Sequence, residues 1–463
     1  MSENDIPRIV IAATNSGAGK TTIVTGILAA MKEKGYKVQS YKIGPDYIDP
    51  GYHQLASGKP GHNLDSWLVS EKKINEIFFK TAVEADIAII EGVMGLYDGG
   101  RKGISSTATI AKLLNAPVVL VIDAKSMGDS AAAIALGFKL YDPEVNFAGV
   151  IVNRLGSETH KKMICEAMEK INIPVLGCIF REEQITMPER HLGLTPVTEN
   201  PMENMVEFIK NIILKQCDIT ELYRIAKNTP SLTPYFLENT KQQIYPRIKI
   251  GVAHDESFSF YYPESLAILE ELGAEIIPFS PLRGQKIPDV QGLIIGGGFP
   301  EMFVQQLNQN ETMRQSILRA GENGLPIYAE CGGLMYLTKY IKDFSGTVFD
   351  MVGLIPATCM MNTKLQTVGY IEAEALNDNI LCLKGDKIHG HEFHFSSMLI
   401  DESVEEPFSW AFQFTKIRTG VKYYAGYSQN NILASYLHLH FAGNIALAKR
   451  FIQKCHQFVQ TQK

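Results

Sequence analysis

One segment near the start of the chain narrows its fold more than any other. The apolar run Arg8–Ala13 leads into Thr14-Asn15-Ser16-Gly17-Ala18-Gly19-Lys20-Thr21-Thr22, and a helical stretch follows to about Lys34. A strand, a glycine loop and Lys-Thr opening a helix form the arrangement that cradles phosphates. Backbone N–H groups and the helix N-terminus face the anion, Lys20 reaches the terminal phosphates, and the Thr21 hydroxyl binds magnesium. Thr14 stands where GxxxxGK[ST] has its first glycine and Gly17 adds another, so the loop is a variant. Gly17, Gly19, Lys20, Thr21 and Thr22 are the nucleotide-binding candidates, against a bare glycine turn as the bland alternative.

The surrounding pattern agrees. Strands are expected at Arg8–Ala13, Lys37–Lys42, Ile87–Ile90, Pro117–Asp123, Gly149–Asn153 and Pro174–Ile179, alternating with helical stretches. The first, third and fourth are almost continuously apolar, as parallel strands covered on both faces must be. At Asn228–Arg247 three prolines and polar residues without a sustained period read as a linker. Strands resume at Ile248–Ala253, Glu275–Phe279, Gly292–Ile295 and Pro326–Ala329, then at Val368–Ala373, His389–Phe395 and Val421–Tyr424, the later ones more antiparallel in character. The 463 residues thus divide into two α/β domains, 1–235 and 246–463. The first is a P-loop, doubly wound, mostly parallel sheet.

Magnesium needs further oxygen ligands, and ligands gather beyond the carboxyl ends of such strands. Asp46 follows the second strand and Glu91 ends the third, so Thr21, Asp46 and Glu91 are expected to converge on one ion. Tyr47, Asp49, His53 and Asp98 lie slightly further out on the same loops and are candidates to face a second substrate, with turn-forming roles as the competing reading. Asn153, at a late strand end, suits adenine because its amide both donates and accepts. Glu189, Arg190 and His191 in MPERHLGL are further candidates for phosphate or substrate contact, or else surface ion pairs.

In the second domain, Pro326–Glu330 runs directly into Cys331-Gly332-Gly333-Leu334 and a helical pattern. A nucleophile on a sharp strand-to-helix turn is the elbow arrangement: glycines permit the backbone and the helix N-terminus favours the thiolate. His438 or His440 in ILASYLHLHF supplies a base, and Gly296–Gly298 supplies backbone donors for an oxyanion. The pieces fit acyl transfer through a thioester. HGHEFHF is not a zinc-protease motif, because His391 and His394 are three apart in a β-leaning run; these residues read as structural or as lining a domain interface.

Composition removes other classes. Fifty acidic against 44 basic side chains leave a net charge of −6, which argues against general binding to nucleic acid or an anionic membrane. No apolar run approaches the roughly 18 residues of a transmembrane helix, and the N-terminus does not have the form of a signal peptide. Seven scattered cysteines without a CxxC pair argue against a disulfide framework and fit the cytoplasm.

Taken together, NSGAGKTT, YKIGPDYIDPGYH, EGVMGLYDG, VNRLGSE, PERHLGL, GGGFPE, AECGGLMYL, GHEFHFS and ASYLHLHF resemble the cobyrinic acid a,c-diamide synthase family, in order and over nearly the whole chain. The first half is similar to dethiobiotin synthetase-type ATPases, and the second to class I glutamine amidotransferases of the cobyric acid synthase type. The resemblance implies a class I glutaminase-like α/β domain in the second half. It implies amidation of the a and c carboxylates of a cobyrinate-type tetrapyrrole, with L-glutamine as nitrogen donor and ATP with Mg²⁺ activating each carboxylate. By motif match it makes Cys331 the nucleophile and His438 its base. Many class I glutaminases carry a glutamate two residues after this histidine, where this chain has His440, so the third member is open. A homodimer is left open as the assembly. Two rivals stand beside this reading: the same chemistry on nickel-sirohydrochlorin or hydrogenobyrinic acid, and a partition- or nitrogenase-iron-protein-like ATPase switch.

Overall fold

The structure, a computed structural model, describes residues 6–100, 103–182, 201–235, 246–401 and 407–461, and the chain divides into two compact units at about residue 238. Each unit is built on its own sheet. Among the described residues no helix is long and apolar enough to cross a membrane, and all seven cysteines are free.

Seven parallel strands form the first sheet: β1 (Arg8–Ala13), β2 (Val38–Ile43), β3 (His62–Leu64), β4 (Ile87–Glu91), β5 (Val118–Asp123), β6 (Phe147–Leu155) and β7 (Val175–Phe180), in the order β3-β2-β4-β1-β5-β6-β7. β1 and β4 are buried at every position, as their apolar sequences require. The six expected strands are present; β3 is an addition, three residues long and too short to leave a periodic signal. The helix Lys20–Glu33 is buried along Ile23–Met31, because β1 and β4 cover one side and Val206, Ile209, Ile212 and Ile213 cover the other.

Residues 228–235, expected to begin a linker, instead pack on this unit. Arg8, fully buried, donates to Leu114 O at 2.5 Å, to Pro230 O at 2.6 Å and to Thr229 Oγ1 at 3.3 Å. The Tyr235 N–H donates to Asn75 Oδ1 at 2.7 Å. A buried guanidinium needs acceptors, and this segment provides two of them.

In the second unit the strands are β8 (Ile248–Ala253), β9 (Ala274–Phe279), β10 (Gly292–Ile295), β11 (Ile327–Glu330), β12 (Thr338–Lys342), β13 (Val348–Asp350), β14 (Ile355–Met361), β15 (Thr367–Ala375), β16 (Lys387–His394), β17 (Ser396–Ile400), β18 (Trp410–Lys416), β19 (Lys422–Gln429) and β20 (Ile432–Ser435). Nine of them form a sheet ordered β16-β15-β18-β19-β20-β11-β10-β8-β9, parallel from β20 to β9 and antiparallel from β20 to β16. β13-β12-β14-β17 make a separate small sheet. The parallel core carries the short all-buried runs β10, β11 and β20, and their carboxyl ends meet at one place.

Candidate active sites

The loop after β1 reaches the helix Lys20–Glu33 through Gly19, at φ 92° and ψ 19°, with no side chain capping the first turn and no acid in it. Where helices follow Ser70, Ser106 or Ser157, a hydroxyl closes the first turn instead. The N–H groups at the head of Lys20–Glu33 are therefore left to an anion, at the positive end of a 14-residue helix. A Cβ at Gly19 would collide with the Asn153 amide, so glycine answers both the left-handed backbone and the close approach. Gly17, at φ 80°, opens onto free space, and Thr22 follows half-buried in the first turn.

Behind the loop lies a compact charged cluster. Thr21 Oγ1 donates to Glu91 Oε1 at 2.8 Å and to Asp49 Oδ2 at 3.3 Å. Lys42 Nζ bridges the same acids, 2.5 Å from Asp49 Oδ2 and 2.7 Å from Glu91 Oε1, and His53 Nε2 meets Glu91 Oε2 at 2.7 Å. Asp49, Lys42, His53 and Glu91 are all buried. Burial pushes the Glu91 carboxyl up, but the Lys42 ammonium and the His53 hydrogen bond outweigh burial and the Asp49 charge, and hold it below the usual carboxylate range. Lys20 Nζ donates to Met94 O at 2.6 Å, which places the ammonium beside the β4 loop.

Several expectations for this site need correction. Asp46 does not provide the acid beside Thr21. Its Oδ1 accepts the N–H groups of Ile48 and Asp49 at 2.9 and 3.1 Å, closing the turn, and the helix Asp49–Ser57 then carries Asp49 to the cluster. Asp49 and His53, expected to face a substrate, are buried against Lys42 and Glu91. Tyr47 lies half-buried on the connecting loop. Asp98 is exposed and its Oδ2 accepts the Gly95 N–H at 3.1 Å, so only Asp98 of these candidates stands open to solvent. Asn153 Nδ2 donates to Ala18 O at 2.9 Å while Oδ1 accepts the Arg154 N–H, so the amide braces the glycine loop. Glu189, Arg190 and His191 lie outside the described residues.

In the second unit, Cys331 sits at φ 46°, ψ −100° between β11 and the helix Gly332–Leu337. A side chain at positive φ is costly, and such strain concentrates at functional turns. The turn is held from outside: the Cys331 N–H donates to Ser435 O at 2.7 Å and the Gly333 N–H to Gly296 O at 3.1 Å. That last bond joins the cysteine turn to the Gly296–Gly298 loop. Burial pushes the Cys331 thiol well up, the Glu301 charge adds to this, and the Gly332 N–H pulls only partly back. The expected helix-terminus effect on the thiolate is thus overridden by desolvation, and ionisation needs a base.

His438 is buried against the Gly296–Gly298 loop, where a Cβ at Gly297 would strike its ring. Its backbone exchanges two hydrogen bonds with His391, at 2.9 and 3.2 Å, and the two rings stack at 4.9 Å and 15°. His438 Nδ1 lies 3.4 Å from Glu330 Oε2. His440 turns elsewhere, stacked on Tyr262 at 4.5 Å and 3.7 Å from Glu264 Oε2. His391 and His394 fall on β16 as expected for a β-run, but His391 packs on His438 within its own unit. Among the described residues no group of three or more His, Cys, Asp or Glu is arranged to hold a metal.

Lys42 and Glu330 are not among the residues singled out from the sequence, and His391, expected to be structural or to line a domain interface, stacks on the base candidate His438. A lysine inside the otherwise buried strand β2 was the available signal for Lys42, since buried lysines require partners. Neither Glu330 nor His391 had one, because their partners are remote in sequence.

Known proteins divide the chain in the same way. Residues 9–194 match the CobQ/CobB/MinD/ParA nucleotide binding domain, and residues 249–445 match the CobB/CobQ-like glutamine amidotransferase domain. The cobyrinate a,c-diamide synthase of Dehalococcoides mccartyi (strain CBDB1) is 44% identical, over 97% of this chain and 98% of its own. Those of Caldanaerobacter subterraneus and Methanobrevibacter smithii are each 43% identical, over 97% and 96% of this chain and 98% and 99% of theirs. With both units matched in order and relatives aligned along nearly their full length, the chain belongs to the cobyrinate a,c-diamide synthase family.

Proposed function

We propose that the chain amidates the a and c carboxylates of a cobyrinate-type tetrapyrrole, the first unit activating each carboxylate with ATP and the second releasing ammonia from L-glutamine. The observation that carries this reading is the presence in one chain of two unrelated devices, an uncapped glycine-loop helix backed by acids and a strained cysteine elbow whose preceding residue, Glu330, faces a histidine. A nucleotide switch has use for the first and none for the second.

A carboxylate resists attack by ammonia because an oxide-like oxygen would have to leave. Attack of the carboxylate oxygen on the γ-phosphorus of ATP breaks the bond to ADP and gives an acyl phosphate. Ammonia then adds to the acyl carbon, the C–O bond breaks, phosphate leaves, and a proton is lost from nitrogen. Lys20 and the loop N–H groups stabilise negative charge on the transferring phosphoryl group. Lys42, held between Asp49 and Glu91, adds a fixed positive charge beside the loop. Magnesium fits this site: the Thr21 hydroxyl and the carboxylates of Asp49 and Glu91 are hard oxygen donors, and such ions take few protein ligands alongside phosphates and water. These three residues would hold it, and when bound it would neutralise phosphate charge.

In the second unit His438 takes the Cys331 proton as sulfur attacks the glutamine side-chain amide carbon. The Gly296 N–H donates to the Tyr261 hydroxyl, which leaves Gly297 and Gly298 in this loop to offer N–H groups to the oxyanion, and His438 returns the proton to the departing ammonia. Water then hydrolyses the thioester to glutamate. Shape and charge, not these motifs, would distinguish cobyrinate from its nickel or metal-free analogues.

The test is donor-specific. Cys331→Ala is expected to abolish glutamine-dependent amidation, read by mass spectrometry of the tetrapyrrole product, while synthesis with ammonium salts persists. Equal loss with both donors would end the proposed division of labour.

A further inference from the structure

We infer that Glu330 is the positioning acid of the glutaminase, orienting the His438 ring from the residue immediately before the nucleophile. The inference rests on the reading of Cys331 and His438 as nucleophile and base.

Strand β11 ends at Glu330, with its side chain about nine-tenths buried. Its two carboxylate oxygens are placed differently: Oε1 is hydrogen-bonded, and Oε2 faces the histidine ring. Oε2 lies 3.4 Å from His438 Nδ1, while Oε1 accepts the Leu439 N–H at 3.1 Å and the Tyr328 hydroxyl. Burial and then the Glu330 charge push the Tyr328 phenol well up, so it remains a donor. One carboxylate therefore addresses both the His438 ring and the backbone of the next residue.

The consequence for His438 follows from imidazole chemistry. A carboxylate facing Nδ1 favours the tautomer with its proton there, leaving the Nε2 lone pair to accept from a thiol. It also stabilises the imidazolium formed when Cys331 gives up its proton. That help matters here because burial holds the thiol protonated. On the other face, the stacked His391 is held neutral by burial and by His438, so it contributes shape without competing charge.

The residue two positions after the histidine, His440, does not do this work, since its Nε2 faces Glu264 and its ring lies on Tyr262. An acid from the strand end replaces one from the histidine's own segment. The geometry is open to this because β11 and β20 are neighbours in register, Glu330 opposite Ser435, three residues before His438.

Glu330→Gln keeps the volume and an acceptor for the Leu439 N–H but removes the charge. It is expected to lower the kcat of glutamine hydrolysis by on the order of 10²–10⁴, with KM for glutamine within about threefold. Glu330→Asp should recover part of the rate. Labelling of Cys331 by the glutamine analogue 6-diazo-5-oxo-L-norleucine should slow in parallel in Glu330→Gln. A Glu330→Gln protein whose glutaminase kcat stays within about threefold of the parent would overturn the inference, as would parallel loss of ammonia-dependent synthesis, the mark of a structural role. If Cys331→Ala fails to separate the two donors, the underlying reading falls first, and that result is visible independently of any Glu330 variant.

Discussion

The phosphate loop and the cysteine elbow are the same topological event with opposite internal logic. In both, a buried parallel strand ends, the chain turns sharply and a helix begins. At the first turn the φ > 0 positions are Gly17 and Gly19, and the chemistry is done by backbone N–H groups with charged side chains gathered behind. At the second, the φ > 0 position is Cys331 itself, and the surroundings are largely apolar. The contrast shows what each reaction needs. Phosphate binding needs many weak donors and countercharge, so the turn is relaxed. A nucleophile must project from one defined point, so the turn accepts strain and is pinned by Ser435 and Gly296.

The largest test of this contrast is Lys20→Ala or Glu91→Ala. Either should eliminate amidation with both nitrogen donors, whereas Cys331→Ala removes only one. Near-normal synthesis by either variant with ammonia would erase the distinction between the turns. For Glu91, unfolding must be measured alongside, because its removal leaves Lys42 with one acid fewer in a buried site.

A smaller effect should appear on adding one methyl group at each turn. At Gly17 a Cβ meets nothing within 4 Å, so Gly17→Ala should cost about 1–2 kcal/mol, the expense of a left-handed alanine. At Gly333 a Cβ would overlap the Ile295 carbonyl, and Gly333→Ala should cost about 3 kcal/mol or more because β10 must shift. The chain has 2 tryptophans, Trp67 in the first unit and Trp410 in the second, so fluorescence in urea can follow each unit separately. Equal costs would mean that the elbow is no tighter than the loop.

A further test concerns acidity near the elbow. Burial raises the Glu301 carboxyl from 4.5 to about 7. Its folded form therefore binds a proton that the unfolded chain has released, and stability falls as pH rises from about 4.5 to 7. Relative to Glu301→Gln, the parent should lose up to about 3 kcal/mol across that window and little more above it. A flat difference between pH 4.5 and 8 would remove Glu301 from the buried surroundings of the thiol.

Much of this was legible in advance, for reasons that differ between elements. β1, β4 and β5 appear where almost continuous apolar residues announce strands covered on both faces. β12, β13 and β17 left no such trace, since their half-exposed positions admit polar residues and β17 joins the small sheet by pairing with β14, remote in sequence. Within the first site, the choice between Asp46 and Asp49 turned on where the loop ends and a helix begins. Three residues along a chain cannot show which of two acids a turn consumes and which a helix delivers.

Local sequence was enough to specify the two turns, because a glycine loop before Lys-Thr and a cysteine before paired glycines each encode their backbone within a few residues. Charge balance, by contrast, emerged only on folding: Lys42 between Asp49 and Glu91, and Glu330 against His438, join residues that lie 7, 49 and 108 positions apart. Buried charges select partners by distance in space, and no periodicity along the chain carries that information.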